Sequence, residues 1–185
     1  MKIIDKAWNI FMLKRKRVLI GTNLKINGRI CIHGSPQRIK IGNNVTINSD
    51  ENVNPTSGFH HTHLCAEENG SIIIGNNVGM SHVNITSHSR VEIQDDVMLG
   101  SEVKIWDTDF HSLDYETRIH KGDTDEKSAP ILIKKGAFIG ACTIILKGIT
   151  IGEYAVIGAG SVATKDVSPN EVWAGNPARF IRSKD

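Results

Sequence analysis

An aliphatic residue recurs at every sixth position along much of this 185-residue chain, and that spacing restricts the fold more than any other feature. The longest series closes at Ala163 and comprises Ile133, Ile139, Ile145, Ile151 and Ile157. Shorter series with the same spacing are Ile20, Ile26 and Ile32; Ile41 and Ile47; Ile74 and Met80; and Ile93, Leu99 and Ile105. An α-helix repeats apolar residues at spacings of three and four, and a flat strand at two. The spacing therefore predicts short strands separated by corners.

Glycine and small residues recur at fixed positions relative to the aliphatic series. Glycine follows the aliphatic residue directly at Gly42 and Gly100, and a small or β-branched residue often stands four positions after it, as at Val45 and Ala155. One six-residue unit cannot bury its apolar side chain, whereas stacked units bury it against one another, as in solenoids. Three aliphatic side chains per coil contribute roughly 5–9 kcal/mol, and the entropy of ordering the coil opposes most of that gain. Many stacked coils are therefore expected.

Composition and charge exclude several classes of function. The formal net charge of +2 gives no extended field for nucleic acid. Cys31, Cys65 and Cys142 are odd in number and far apart, which argues against a disulfide framework and a structural zinc site. No apolar run approaches the ~20 residues that span a bilayer, and no signal peptide is recognised. The sequence therefore predicts a cytoplasmic protein.

The repeat resembles that of the hexapeptide-repeat acyltransferases over about residues 18–182. The resemblance implies a mainly β fold, a left-handed parallel β-helix shaped as a triangular prism, with one long excursion loop and a short C-terminal helix. Residue spacing adds an N-terminal helix to this expectation. We expect residues 18–176 to form the β-helix, with the loop at 107–130. We expect residues 177–185 to form the terminal helix and tail, because Pro177 suits the first position of a helix.

The first 17 residues differ from the repeat. Ile4, Trp8, Phe11 and Met12 recur at helical spacing, and a basic run follows at 14–17. We expect an amphipathic helix that packs on the end of the prism, as terminal caps do. Contact with an anionic membrane is the alternative, because a basic amphipathic helix also suits that surface.

Two long interruptions of the repeat, at residues 48–71 and 107–130, are candidates for function, since loops carry function on rigid scaffolds. The first holds His60, His61 and His63, which could bind zinc as in a carbonic-anhydrase-like β-helix protein. Neighbouring residues on a strand point to opposite faces, so convergence of the three is not expected. We predict no metal.

The second interruption contains His111, and an imidazole suits proton abstraction near neutral pH. The family resemblance implies that His111 is the catalytic base. Asp107 or Asp109 could hold its other ring nitrogen, as carboxylates do in triads, or could simply cap a turn. His120 is a competing base that lies deeper in the loop.

The resemblance also implies binding residues. Asn84, at an expected corner, matches a residue that contacts the acceptor, although a corner Asn could equally satisfy local backbone groups. Candidates for binding acetyl-CoA are Gly140, Ala141, Gly158, Ala159, Thr164, Lys165, Arg179 and Arg182. The glycines would let pantetheine approach the backbone, and the two arginines would meet phosphates.

The expected function is acetyl transfer from acetyl-CoA to a sugar hydroxyl of a glycan, glycolipid or nucleotide-sugar precursor. Transfer would be direct, because no serine or cysteine is placed as a nucleophile. Acetylation of the amine of an amino-sugar nucleotide is the alternative. By resemblance, a homotrimer is expected, with sites between neighbouring subunits.

Overall fold

A computed structural model describes residues 3–50, 52–54, 56, 60–67 and 69–184 of the chain. Two helices are present in this part, α1 (Ile3–Arg15) and α2 (Tyr115–His120), with one 3-10 turn at Pro36–Arg38. The strands are β1 (Leu19–Ile20), β2 (Lys25–Gly28), β3 (Ile30–Gly34), β4 (Ile39–Ile41), β5 (Thr46–Ser49), β6 (Thr62–Ala66), β7 (Ile72–Ile74), β8 (Gly79–Ser81), β9 (Asn84–Ser87), β10 (Val91–Ile93), β11 (Met98–Leu99), β12 (Lys104–Trp106), β13 (Ile131–Ile133), β14 (Phe138–Ile139), β15 (Ile144–Ile145), β16 (Thr150–Ile151), β17 (Val156–Ile157), β18 (Val162–Ala163), β19 (Glu171–Ala174) and β20 (Arg179–Ser183).

The strands form three sheets, and the chain visits the sheets in turn. Sheet 1 has the order β1-β4-β7-β10-β13-β16, sheet 2 the order β2-β5-β8-β11-β14-β17-β19-β20, and sheet 3 the order β18-β15-β12-β9-β6-β3. Every pair is parallel except β19–β20. Each coil therefore adds one strand to each wall of a three-sided prism, and the predicted left-handed parallel β-helix is confirmed.

The aliphatic residues of the six-residue series fill the interior of the prism. Along sheet 3, Ile85, Ile105, Ile145 and Ala163 lie in register on successive strands, and all four side chains are buried. The same stacking occurs in sheets 1 and 2. The period of six arises because each wall contributes one central inward side chain per coil.

One corner of the prism is built from a column of amide side chains. Asn23 donates to Asn44 at 3.0 Å, Asn44 donates to Asn77 at 3.1 Å, and Asn77 donates to the Asp96 carboxylate at 2.9 Å. All four residues have φ between 56° and 61°. Asn and Asp tolerate this left-handed conformation better than other residues with a side chain. The hydrogen bonds tie four coils together along the corner.

Helix α1 closes the N-terminal end of the prism. Asn9 donates to the Gly28 carbonyl at 2.7 Å, Asp5 pairs with Arg29 at 2.7 Å, and Leu13 is buried in the core. The opposite face of the helix exposes a set of large apolar side chains, Ile4, Trp8 and Phe11. Neither described helix is long and apolar enough to cross a bilayer.

The C-terminus differs from the sequence prediction. Residues expected to form a terminal helix instead form β20, which pairs antiparallel with β19 at the edge of sheet 2. The turn between the two strands passes through Gly175 with φ of 103°. The predicted helix was wrong because β19 is an edge strand whose backbone groups need partners, and Phe180 and Ile181 favour the extended chain that supplies them.

Candidate functional site

The excursion at residues 107–130 leaves sheet 3 after β12 and returns to sheet 1 at β13. A β-bridge between Thr108 and Ser128 closes its base. Helix α2 lies within it, and the Asp114 carboxylate caps the helix by accepting from the Thr117 N–H at 2.7 Å. The loop is therefore an ordered arm that projects from one edge of the prism.

His111 and Asp123 form a pair inside this arm. His111 Nδ1 lies 2.5 Å from Asp123 Oδ2, and the other carboxylate oxygen accepts from the Ser112 N–H at 2.6 Å. The Ser112 N–H bond, followed by the bond from His111, lowers the pKa of Asp123 below its ordinary value. The carboxylate therefore stays charged and fixes the imidazole with Nδ1 toward it. The His111 side chain is 70% exposed, so Nε2 is available for proton transfer.

Asp107 does not contact His111. Its buried carboxylate accepts from Ser87 Oγ at 2.7 Å, from the His88 N–H at 2.7 Å and from the Ser89 N–H at 2.9 Å. The expectation that Asp107 orients the imidazole was therefore wrong. It anchors the base of the arm to the coil beneath.

Asp109 forms an ion pair with Lys147 and not with His111. Its Oδ1 lies 2.6 Å from Lys147 Nζ, and this pair joins the arm to the following coil. The prediction that Asp109 orients His111 was wrong for the same reason as that for Asp107. Sequence reasoning missed Asp123 because twelve residues separate it from His111, and its only sequence signal was membership of the acidic stretch at 123–126.

A cavity of about 450 Å³ lies beside the base of the arm. Its lining combines acidic, aromatic and hydroxyl side chains: Glu67, Thr86, His88, Phe110, Glu126 and Ser128. Phe110 stands edge-on to both His88 and Trp106, with ring centroids 5.9 Å apart in each case. The cavity thus offers carboxylates that can accept from hydroxyl groups and an aromatic ring, that of Phe110, which directly precedes His111 in the chain.

Asn84 lies on strand β9 rather than at a corner, because Val83 fills the buried corner position. Its side chain faces outward from sheet 3, half-buried, and Oδ1 accepts from Trp106 Nε1 at 3.4 Å. The expected corner placement was wrong. The observed placement puts a polar amide on the wall from which the arm departs.

The residues predicted to bind acetyl-CoA occupy different edges of one chain. Gly140, Ala141, Gly158 and Ala159 follow β14 and β17 at the edge between sheets 2 and 3. Thr164 and Lys165 follow β18 at the edge between sheets 3 and 1, and Arg179 and Arg182 are exposed on β20. A single chain therefore does not gather the whole set at one edge.

The structure explains glycine at positions 140 and 158 differently from the predicted approach of pantetheine. A Cβ built on Gly140 would lie 2.5 Å from the Ala159 backbone nitrogen, and Gly140 is buried. At Gly158 a Cβ would lie 2.9 Å from the Ala174 Cβ. The close approach that requires these glycines is therefore that of the next coil.

The three histidines considered as zinc ligands do not form a cluster in the described part of the chain. His61 Nδ1 donates to the Ser49 carbonyl at 3.0 Å, and no described group of metal-binding side chains joins His60 and His61 to His63. His63 instead lies close to Cys31 and His33.

Comparison with known proteins identifies the repeat. The family model for the bacterial transferase hexapeptide (six repeats) matches residues 130–165. The galactoside O-acetyltransferase of Escherichia coli (strain K12) is 39% identical over 101 residues, which are 55% of this chain and 48% of that protein. The chain spans less than half of the length of the curated relatives that it matches.

Two solved structures share the fold over nearly the whole chain. A hexapeptide-repeat acetyltransferase from Vibrio cholerae O1 biovar eltor, complexed with acetyl coenzyme A, is 25% identical with a TM-score of 0.64, covering 100% of this chain and 81% of that one. A mutant of AntD, an N-acyltransferase from Bacillus cereus in complex with dTDP and coenzyme A, has a TM-score of 0.75 at 22% identity, covering 95% and 89%. At that identity AntD shows the fold alone. Residues 130–165 thus carry the repeat of the bacterial hexapeptide transferases, and the chain shares its fold with a hexapeptide-repeat acetyltransferase.

Proposed function

We propose that this protein is an acetyl-CoA-dependent O-acetyltransferase that acts on a sugar hydroxyl of a glycan, glycolipid or nucleotide-sugar precursor. The observation that carries the proposal is the His111–Asp123 pair on an ordered arm of a hexapeptide-repeat prism. A carboxylate on one ring nitrogen with the other nitrogen exposed is an arrangement that suits general base catalysis.

The proposed reaction is a direct transfer. His111 Nε2 takes the proton of the acceptor hydroxyl as its oxygen attacks the thioester carbonyl carbon. The resulting tetrahedral oxyanion collapses, the carbon–sulfur bond breaks, and the imidazolium returns its proton to the departing sulfur to give the CoA thiol. Asp123 stabilises the imidazolium between these two steps. The lowered pKa of Asp123, caused first by the Ser112 N–H bond and then by the His111 bond, favours the charged carboxylate that this task needs.

The acyl donor would lie against the C-terminal coils. Lys165, Arg179 and Arg182 are exposed cations there, and their charge complements the phosphates of a nucleotide. Ala159 and Thr164 are exposed beside them and present little bulk. These residues fit the polar end of coenzyme A in charge and accessibility.

The acceptor would bind near Asn84 and the cavity at the base of the arm. Carboxylates of Glu67 and Glu126 and the face of Phe110 suit a molecule with many hydroxyl groups and apolar ring faces. Acetylation of an amine uses the same base, so amino-sugar nucleotides belong in the test panel.

A homotrimer would complete the site. The cofactor residues of one chain lie at separate edges of the prism, and the His111 ring is exposed in the isolated chain. A neighbouring subunit packed along the edge between sheets 3 and 1, where the arm leaves the prism, would bring its own coils beside this arm. Mixing a His111→Asn chain with an Arg179→Ala chain should restore activity if two chains share each site, and would restore none if each chain acts alone.

Helix α1 is a candidate for contact with an anionic membrane. Its exposed apolar side chains Trp8 and Phe11 precede the basic run at 14–17 in the sequence. We expect sedimentation with vesicles containing phosphatidylglycerol, no sedimentation with neutral vesicles, and loss of binding in a Trp8→Ser, Phe11→Ser variant. Equal recovery with both vesicle types would contradict this role.

The decisive test is release of the CoA thiol from acetyl-CoA with a panel of sugars, glycolipids, nucleotide sugars and amino-sugar nucleotides. His111→Asn should lower turnover at least about 100-fold with unchanged affinity for acetyl-CoA, because only proton transfer is lost. His120→Asn, an exposed histidine of the same arm, is the matched control and should retain activity. Equal turnover of the His111 variant and the wild type would remove the proposed base.

A further inference from the structure

A second cluster of reactive side chains lies on the outer face of sheet 3, on strands β3 and β6. Cys31 and His33 both belong to β3, and their neighbours in register on β6 are His63 and Cys65. Because residues two apart on a strand share a face, all four side chains point outward from the same wall. The arm leaves the prism two strands farther along this sheet, after β12.

Three of these side chains converge. The ligand atoms of Cys31, His33 and His63 all lie within 4.8 Å of one another. The two imidazole rings are stacked, with centroids 5.9 Å apart and planes inclined by 6°. In the part of the chain that the structure describes, none of the three side chains makes a hydrogen bond to another residue. Their donor atoms are thus close together and not committed to protein partners.

This donor set selects a particular class of ion. A thiolate and imidazoles together favour borderline and soft transition metals over Mg²⁺ or Ca²⁺, which prefer oxygen. In a tetrahedral zinc site, bonds of about 2.0–2.3 Å place ligand atoms about 3.5 Å apart. The observed separations of up to 4.8 Å must contract to that value, which rotation of the exposed or half-buried side chains can supply.

We propose that Cys31, His33 and His63 form a zinc-binding site with the fourth coordination position open. Cys65 is the fourth member of the group of facing residues, and it is held apart by donating its thiol hydrogen to Glu67 Oε1 at 3.0 Å. Three protein ligands with an open position differ from closed structural sites, which use four. The open position takes water or a small oxygen or nitrogen ligand.

The site is distinct from the three histidines that the sequence suggested. His63 is common to both sets, but its partners come from β3, far from it in sequence, and not from the adjacent His60 and His61. Strand register, which places Cys31 opposite His63, is what creates the cluster. The sequence alone does not show that register.

Cobalt substitution gives the direct test. Titration of the thiol-reduced, metal-free full-length protein with Co²⁺ should produce the visible spectrum of tetrahedral Co²⁺ together with a thiolate-to-cobalt band in the near ultraviolet. Both signals should saturate at one equivalent of Co²⁺. Zn²⁺ should displace the Co²⁺ and abolish both bands. Absence of a stoichiometric spectrum, or a spectrum without the thiolate band, would overturn the proposal.

Variants assign the ligands. Cys31→Ser should abolish the thiolate band, and His33→Asn and His63→Asn should each weaken Zn²⁺ binding at least about tenfold, since each removes a coordinate bond. Cys142→Ser and His120→Asn are matched controls for exposed residues outside the cluster, and both should bind as the wild type does. Wild-type affinity in the Cys31 variant would contradict the assignment.

Two further variants sharpen the result. Cys65→Ser should retain the metal, and loss of binding in that variant would overturn the open three-ligand site. His111→Asn should bind Zn²⁺ normally, because its side chain lies on the arm. Metal binding and acetyl transfer are thus measured separately, and failure of either leaves the other standing. Unchanged thermal unfolding of each metal-free variant shows that it folds.

Discussion

The wall of the prism and the arm at 107–130 are held in place by different kinds of contact. In the wall, buried aliphatic side chains repeat from coil to coil, and Ile105 packs between equivalent residues of the coils on either side. In the arm, large apolar side chains are exposed, and Leu113 is 80% exposed. The arm is positioned by carboxylates, each with its own set of partners.

The difference teaches how rigidity is distributed in this molecule. Wall contacts are nearly equivalent, so stability is shared among coils. Arm contacts are individual: Asp107 fixes its base, Asp109 ties it to Lys147, and Asp123 fixes the imidazole. Removal of a wall side chain should therefore change stability, whereas removal of Asp123 should change chemistry with little effect on stability.

The largest effect is expected in the wall. Ile105→Ala should lower the free energy of unfolding by about 2–5 kcal/mol, because it leaves a cavity in a fully buried layer. Leu113→Ala in the arm is the matched control and should change it by less than about 0.5 kcal/mol. Denaturant unfolding followed by circular dichroism measures both, and similar losses in the two variants would erase the contrast between wall and arm.

The base of the arm should show an intermediate effect. Asp107→Ala removes a buried charged acceptor and leaves the half-buried His88 and Ser89 N–H groups without their partner, so we expect a loss of about 1.5–3 kcal/mol in the free energy of unfolding. Asp125→Ala removes an exposed carboxylate of the same arm and should be nearly neutral. If both variants unfold at the wild-type denaturant concentration, Asp107 is not an anchor.

The smallest change in free energy is expected at the proposed catalytic pair, His111 and Asp123. Asp123→Asn keeps an acceptor for the Ser112 N–H but loses the charge that stabilises the imidazolium, so kcat should fall about 10- to 100-fold, or about 1.4–2.7 kcal/mol. Unfolding and KM for acetyl-CoA should stay unchanged. Steady-state kinetics of Asp123→Asn and of the control variant Asp125→Asn test this. Equal kcat values in the two variants would show that Asp123 does not act through His111.

The repeat made most of the fold predictable. A spacing of six fixes which side chains face inward, and the resemblance supplied the left-handed winding that general chain-crossing rules would not give. The C-terminal helix was predicted wrongly because Pro177 also suits a turn between two strands. The need of edge strand β19 for a partner is a tertiary property that local sequence does not carry.

The candidate site was predictable only in part. The prediction of His111 as the base stands as a proposal, since the break in the repeat and the family resemblance both point to it. Its carboxylate partner was predicted among the nearest aspartates. In the structure His111 instead contacts Asp123, which lies beyond α2 in the sequence. Proximity in sequence misleads inside an arm because a loop that folds back joins distant residues. The Cys31 cluster was hidden for a related reason, since strand register sets it.

The amide column of Asn23, Asn44, Asn77 and Asp96 gives the prism a direction. Asn23 donates, Asn44 and Asn77 each accept and donate, and the final carboxylate only accepts. A duplicated coil that carries another Asn can therefore be inserted anywhere before Asp96 without breaking the chain of donors. A coil added after Asp96 must bring a donor of its own. The growth of such a protein by duplication is thus easier at one end of this column than at the other.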